Sequence, residues 1–593
     1  MCPQNTSVTP DTARRFSTHY NDRNVNRFRN LIEALDAAPS DRLFITSWID
    51  EDEQEKVTFG EFRQRARTQA SALLESRVGP GDRVVIIMPQ GIPAMAAFVG
   101  AMMIGAVPAF LAYPNFKIEP AKYRSGLSGV SANLSAKAVV IDDEFPDDML
   151  GYLSLGEPAA LVRAPNEVQE SIELLAITHA PENLAFIQHS AGTTGLQKGV
   201  ALTHAAVLRQ IGHLSGALKI DAATDKIYSW LPLYHDMGLI ACFILPMVCH
   251  LRVVMQLPLD WVMHPETTLQ IVSEEKCTLA WTPNFALQFI PRRTPQSRWQ
   301  QYDLSSLRAL INCSEPVRAG SMQEFQRAFA GIGLRQNALH SSYAMAENVF
   351  AVTQSEIDRP DGPVCIWADG QKFRAKHEIA RVKEETPGAI AFQSSGRLLP
   401  HHEMRVISGS GDLLDDGHVG EILLKSDCLF EGYFNRPDLT AEAIADGWYR
   451  TGDLGFVFDG ELFVVGRKKD LLIVGGENLY PQDIEEIVSG HPAVHDGRAV
   501  AMGIYNPDRG TDDIVVVAEV EHEADLAGAA EIESVLRNWI VAGIGVSVRT
   551  IFFKPPKWIV KSTAGKPARS ATREKLLREH PEINQEPERV SLS

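Results

Sequence analysis

From Val84 to Phe116 the chain carries no charged side chain. The run is longer than the roughly 20 apolar residues that a membrane-spanning helix needs. Its internal punctuation argues otherwise. A Pro-Gln-Gly-Ile-Pro break separates VVIIM from AMAAFVGAMMIGA, and a second break precedes VPAFL. Short apolar run, apolar helix, short apolar run reads as strand, helix and strand buried inside an α/β layer, with no membrane span.

The same alternation continues along the chain. AKAVVID (136–142), ENLAFIQ (182–188), LRVVMQL (251–257) and LRALINC (307–313) are strand-like runs between amphipathic helical stretches, which favours a largely parallel sheet. Near 360–390 the texture changes to the charged DGQKFRAKHEIARVKEETPG, expected to be an exposed excursion. MRVIS, EILLKS and ELFVVG then suggest a small β unit, and after GRKKD (466–470) helices and strands mix in a final α+β stretch. The fold class expected is α/β. A large N-terminal domain comprises two αβ subdomains and a small β-barrel-like subdomain, followed by a small mobile α+β C-terminal domain. The expected boundaries are 1–466 for the large domain, with an insertion at about 355–390, then 467–470 as a hinge and 471–593 as the lid.

Composition narrows the function classes. Lys and Arg number 57 against 75 Asp and Glu, a net charge of −18, so a general nucleic-acid or anionic-membrane binder is disfavoured. Seven scattered cysteines without a Cys-x-x-Cys pair suit neither a disulfide framework nor a zinc site. A reducing, cytoplasmic setting follows, and the polar N-terminus offers no secretory signal.

The chemistry lies in short motifs that follow one another in order. HSAGTTGLQKGV (189–200) succeeds a strand and is rich in small residues and hydroxyls, so backbone N–H groups, Thr193 and Thr194 can approach phosphate oxygens while Lys198 adds charge. It lacks the spacing of a Walker A loop. LPLYHDMGL places His235 at the end of a strand-like run, and INCSEPV ends a strand in a polar turn. SSYAMAENVF offers Tyr343 as a stacking surface and Glu347 as a hard oxygen ligand suited to Mg²⁺. WYRTGDLG presents Asp453 in what reads as a tight turn, and Arg467, Lys469 and Lys566 come from GRKKD and KSTAGKPAR.

From VTFGEF (57–62) to KSTAGKPAR, these motifs in this order resemble the adenylate-forming superfamily of acyl-CoA synthetases, luciferases and adenylation domains. YHDMGL, TPNFA, DLSSLRALINCSEPVRA, YAMAE and ENLYPQDIEE are most similar to fatty acyl-AMP ligases. Glu347 and Asp453 are 106 residues apart, longer than is usual in the acyl-CoA synthetases and in keeping with the insertion of the acyl-AMP ligases. The resemblance implies ATP and Mg²⁺ as cofactors. It puts Ser190, Gly192, Thr193, Thr194, Gly195 and Lys198 on the ATP phosphates and Glu347 on the metal. Cys313, Ser314, Glu315 and Pro316 would face the adenine with Ser342, Tyr343, Ala344 and Met345, and Asp453 and Arg467 would hold the ribose and phosphates. Lys566 would be catalytic, bridging the incoming carboxylate and the α-phosphate; His235 would shape the carboxylate end of the acyl tunnel; Lys469 would be the pivot.

The implied reaction is activation of a hydrophobic carboxylic acid to an acyl-adenylate, followed by acyl transfer to the phosphopantetheine thiol of a separate carrier protein. CoA as the acceptor, and a catalytically weak binding homologue, are the alternatives. Ala344 and Gln197 depart mildly from the superfamily pattern, and Glu477 stands where acyl-AMP ligases often have Arg.

Overall fold

The computed structural model describes residues 25, 27–50, 53–114, 120–153, 155–165, 167–168, 177, 179–189, 198–474, 477–506, 511–561 and 567–584. The charge-free run folds as strand Arg83–Ile87, helix Ile92–Met103 and strand Val107–Phe110. Every residue of that helix except Pro93 is buried, which is why no charge is tolerated there. It packs on helix Phe59–Glu75 so closely that a Cβ on Gly100 would lie 2.5 Å from the Ala66 carbonyl oxygen. The partner helix starts at a capping box within VTFGEF: Glu61 N–H donates to Thr58 Oγ1 (3.2 Å) and Thr58 N–H donates to Glu61 Oε2 (2.7 Å). Among the described residues no helix is long and apolar enough to cross a membrane.

Two mainly parallel sheets, with smaller antiparallel ones, build the large domain. Strands Val107–Phe110, Arg83–Ile87, Ala136–Ile141 and Leu155–Arg163 make one, in that order. The other has nine strands. Its parallel centre runs Leu339–Ala344, Ala309–Asn312, Leu279–Thr282, Lys226–Ser229, Arg252–Gln256 and Leu43–Trp48. Antiparallel strands close its edges, Gln54–Thr58 on one side and Ala351–Gln354 with Arg397–Leu398 on the other. The small β unit is antiparallel, with Trp448–Phe458 flanked by Gly420–Ser426 and Glu461–Arg467.

The charged stretch near 360–390 differs from the exposed excursion expected. Strands Arg381–Val382, Cys365–Asp369 and Ala389–Gln393 form a three-stranded sheet with helix Gly370–Lys376, capped by Asp369 Oδ1, which accepts from the Gln371 and Lys372 N–H groups. Its charges face outward, while Ile366, Ala368, Phe373 and Ile379 are buried with Phe456, Phe463 and Tyr480. Spaced apolar residues among charges gave this segment one apolar face, enough to fold it onto its neighbours.

The C-terminal α+β domain has its own core around Leu479, Ile484, Val516, Leu536 and Ile551, built on strands Val494–Asn506, Thr511–Val520 and Thr550–Lys554. It meets the large domain along two lines. Arg318 pairs with Asp483 (3.2 Å) and Glu486 (3.3 Å), and Arg292 pairs with Asp496. From the insertion, the Phe373 ring stacks on Tyr480 with centroids 5.7 Å apart, and Arg374 Nη2 donates to the Gly543 carbonyl (2.9 Å).

Candidate active site

Four of the motifs share one rim. The neighbouring parallel strands Lys226–Ser229, Leu279–Thr282, Ala309–Asn312 and Leu339–Ala344 end, at their carboxyl ends, in the segments containing His235, Pro283–Phe285, Cys313–Pro316 and Met345–Glu347. In open α/β sheets that edge is where ligands bind. The turns are stitched together. Asn284 Oδ1 accepts from Asn312 Nδ2 (2.9 Å) and Arg318 N–H (3.1 Å), and Glu315 Oε2 accepts from Phe285 N–H (3.1 Å). Ser314 adopts a left-handed φ of 67°, and its hydroxyl lies 4.0 Å from Met237 Sδ.

His235 is not at a strand end as expected. Its strand stops at Ser229, where the Ser229 hydroxyl takes the Leu231 N–H (3.1 Å) and Pro232 follows without a donor. His235 Nδ1 lies 2.7 Å from Asp236 Oδ1, just before the π-helical segment Met237–Ile244.

Glu347 sits in a single turn, Ala346–Asn348, directly followed by Val349 at φ 62°, ψ −54°. The Phe350 N–H closes onto the Asn348 carbonyl (2.6 Å), a γ-turn that is strained for a β-branched residue. Buried Asn348 holds it in place. Its amide donates to the Ala351 carbonyl (2.9 Å) and to His402 Nε2 (2.9 Å), and its Oδ1 accepts from the Ser426 hydroxyl. His402 can accept because its Nδ1–H donates to the Pro400 carbonyl (2.8 Å), and burial pushes its pKa down to about 4, keeping it neutral.

The Glu347 side chain receives a hydrogen bond from the Tyr433 hydroxyl (2.8 Å), and Lys198 Nζ lies 4.5 Å from the Tyr433 ring centroid. Tyr433 is a site residue that sequence reasoning missed. The available signal was its strand, Gly432–Tyr433, which pairs with Gly199–Thr203 and so brings it beside Lys198.

Asp453 lies within strand Trp448–Phe458, opposite Arg467, rather than in a tight turn. A bulge between Leu454 and Gly455 and a positive φ at Gly452 turn its side chain toward the rim. The Tyr343 hydroxyl donates to Asp453 Oδ2 (2.6 Å), and Arg467 Nε is 3.4 Å from Oδ1. Burial raises the Asp453 pKa, with the Arg467 cation and the Tyr343 bond acting in the opposite sense. Ser342 and Tyr343 are held in register by Thr353: the Ser342 hydroxyl donates to its carbonyl (2.7 Å) and Tyr343 N–H to its hydroxyl (3.1 Å). Ala344 pairs with Ala351 on the same edge strand.

Lys469 follows in the 3₁₀ turn Lys468–Asp470. Burial, then the charge of Arg467, lowers its pKa below the usual lysine value, and Lys198 acts in the same direction. Three cations, from the loop flank, the β unit and the connecting turn, therefore converge beside the Glu347 and Asp453 carboxylates. Such a site favours a polyanion. The turn is tethered by Glu421, which accepts from Lys468 Nζ and Arg450 Nη2, both at 2.8 Å. Burial alone would raise the Glu421 pKa, but these two partners bring it below the ordinary value. The tether is therefore complete above about pH 4.3 and is lost only as acid protonates the folded-state carboxylate.

Ser190, Gly192, Thr193, Thr194, Gly195 and Lys566 lie outside the described residues. Their flanks are placed. His189 and Gly199 are register partners at the end of a hairpin, and Lys561 and Pro567 form a bridge across 562–566.

Residues 32–434 match the model of the AMP-binding enzyme family. A putative fatty-acid–CoA ligase of Mycobacterium leprae is 30% identical over 84% of this chain and 88% of its own length. A long-chain-fatty-acid–AMP ligase of Mycolicibacterium smegmatis is 28% identical over 88% and 89%. A structure from work on fatty acyl-adenylate ligases of E. coli and L. pneumophila superposes with a TM-score of 0.85 at 27% identity, over 94% of this chain and 99% of that one. The chain belongs to the AMP-binding enzyme family and is an adenylate-forming ligase, which uses ATP to activate a carboxylic acid.

Proposed function

We propose that the acid is of hydrophobic, fatty type and that the acyl group passes to the phosphopantetheine thiol of a separate carrier protein. A carboxylate oxygen attacks the α-phosphorus of ATP, the bond to the β-phosphate bridging oxygen breaks, and pyrophosphate leaves. The thiol then attacks the acyl carbonyl and AMP leaves. The reading rests chiefly on the three cations converging on the rim, which suit the triphosphate and the charge that crowds at the α-phosphorus.

In this reading Lys198 and the 190–195 loop hold the terminal phosphates. Tyr343 and the Cys313–Pro316 turn enclose adenine, with Ser342, Ala344 and Met345 fixing the Tyr343 strand end. Asp453 accepts the ribose hydroxyls, and Arg467 lies between ribose and phosphates. Glu347 fits a divalent cation: it is a hard oxygen donor, orientated by Tyr433 and a strained turn. Mg²⁺ bound there would neutralise phosphate charge. His235 borders the acid, and Lys469 is the pivot of a hinge at 467–470. Tyr433→Phe is expected to raise the Mg²⁺ concentration for half-maximal adenylation several-fold with little change in melting temperature. An unaltered Mg²⁺ dependence would remove Tyr433 from this role.

The carrier is favoured over CoA because an insertion of this kind, here folded against the C-terminal domain through Phe373–Tyr480 and Arg374–Gly543, is a mark of the acyl-AMP ligases that the chain resembles. The similar M. leprae protein bears the name of a CoA ligase, so the choice is put to experiment. Enzyme, ATP and a long-chain fatty acid are incubated with either CoA or a holo-carrier protein. Acyl-carrier formation with only slow acyl-CoA formation is expected; rapid acyl-CoA formation would overturn the assignment. Failure to trap an acyl-hydroxamate from any fatty acid would exclude the fatty substrate.

A further inference from the structure

Next to the Glu347 turn, three side chains from separate places converge. His213 comes from helix His204–Ala217, and Asp427 and Cys428 follow strand Gly420–Ser426. His213 Nε2 is 3.1 Å and Cys428 Sγ 3.3 Å from the same oxygen, Asp427 Oδ1. The three donor atoms all lie within 4.8 Å of one another. The His213 side chain is 4% exposed and Cys428 is fully buried, whereas Asp427 retains 34% exposure and opens the cluster to solvent.

We propose that His213, Asp427 and Cys428 form a structural zinc site. Zn²⁺ takes imidazole, carboxylate and thiolate at about 2.0–2.3 Å, so in a tetrahedral site its donor atoms are about 3.3–3.6 Å apart. The observed separations need only small rotamer adjustments to reach that. The donor set is borderline and mixed, which suits Zn²⁺ rather than Mg²⁺ or Ca²⁺. Charge also balances. A carboxylate and a thiolate offset the two positive charges, with the imidazole neutral.

Without metal, the ionised Asp427 carboxylate accepts from the His213 Nε2–H and the Cys428 S–H. On binding, the thiol releases one proton to solvent, and the imidazole stays neutral by carrying its proton on Nδ1. Arg209 does not compete for the carboxylate, because its Nη1 donates to the Asp427 backbone carbonyl (3.0 Å). The fourth position can be taken by water or by His401, whose exposed ring lies 5.2 Å from that of His213 between centroids.

The location gives the site its purpose. Two residues beyond Cys428, the Phe430 N–H donates to the Glu347 carbonyl (2.9 Å), and one residue before Asp427, the Ser426 hydroxyl bonds Asn348. Bound zinc would brace the segment that holds the strained turn.

The test uses the full chain, stripped by a chelator and titrated with Zn²⁺ alone. One equivalent should bind and raise the melting temperature. Cys428→Ser and His213→Gln should each weaken binding by about a hundredfold or more, and their melting temperatures should not respond. Glu347→Gln should bind zinc as wild type does, which separates this site from the rim. Co²⁺ in the wild type should give a thiolate-to-metal charge-transfer band that Cys428→Ser lacks. Should the variants not fold, the wild-type Co²⁺ spectrum decides alone: without that band the site is refuted. Equal zinc uptake by wild type and folded variants would also overturn it.

Discussion

Lys566→Ala is expected to lower ATP–pyrophosphate exchange by about 10²–10³-fold while leaving thiol transfer from supplied acyl-adenylate near the wild-type rate. The attacking carboxylate and the α-phosphate are both anions, and their approach concentrates negative charge that a cation can offset. A lysine suits the task because a compact ammonium can serve oxygens of two different groups. Once the adenylate exists that crowding has passed, so the second step should not need the side chain. Exchange within a few-fold of wild type would show that Lys566 has no such role.

Arg569→Ala should have the second largest effect, by a different route. The guanidinium donates to Asp470 Oδ2 (2.8 Å) and to both Glu485 oxygens (2.8 and 2.7 Å). It thereby joins three elements: the turn after Lys469, helix Pro481–Ser489, and helix Arg569–Glu579, which begins three residues after Lys566. The three side chains are only 17–21% exposed. Removing the cation leaves two carboxylates without their partner in a poorly solvated place, at a cost of about 3–5 kcal/mol. Denaturant unfolding should show the loss, and kcat for adenylation should fall more than KM for ATP rises. Arg569→Lys should rescue poorly, since an ammonium cannot reproduce the two-pronged contact. Full rescue by lysine would mean that charge alone matters there.

That network also changes how the basic cluster at 554–575 is understood. In the sequence, seven basic side chains stand there against one acid, Glu574, a concentration of positive charge that suits phosphates. In the fold, Lys554 pairs with Glu579 (2.9 Å), Lys575 donates to the Trp558 carbonyl (2.8 Å), and Arg569 is committed to Asp470 and Glu485. Much of the cluster is internal mortar.

What could be read in advance followed from strong local signals. The strand–helix–strand core at 83–110 was legible because burial on all sides excludes charge, and three of the rim motifs because each directly follows an apolar strand. Asp453 and His235 were misplaced locally, since bulges and side-chain caps that end a ladder leave little trace in hydrophobic pattern. Tyr433 was invisible for a different reason. Its partner Glu347 is far off in the chain, and the two meet through the pairing of a short strand with Gly199–Thr203 and the Phe430–Glu347 bond. The buried face of the insertion was masked by its charges, because burial there depends on Tyr480, Phe456 and Phe463, which come much later.

The insertion has one more property, which concerns how such a segment is gained or lost. Its flanking strands remain partners: Gln354 pairs with Arg397 and Thr353 with Leu398. Ser355, Ser394 and Ser395 are bonded into the parent sheet, and a Cβ on Gly396 would lie 2.2 Å from the Gln354 carbonyl carbon. The two ends of the 356–393 segment thus stand side by side on the parent sheet, while its apolar face covers Phe456 and Phe463 of the small β unit. A single deletion joined by a short hairpin turn should leave the nine-stranded sheet whole. One genetic event would then remove the Phe373 and Arg374 contacts to the C-terminal domain while leaving those of Arg318 and Arg292 in place.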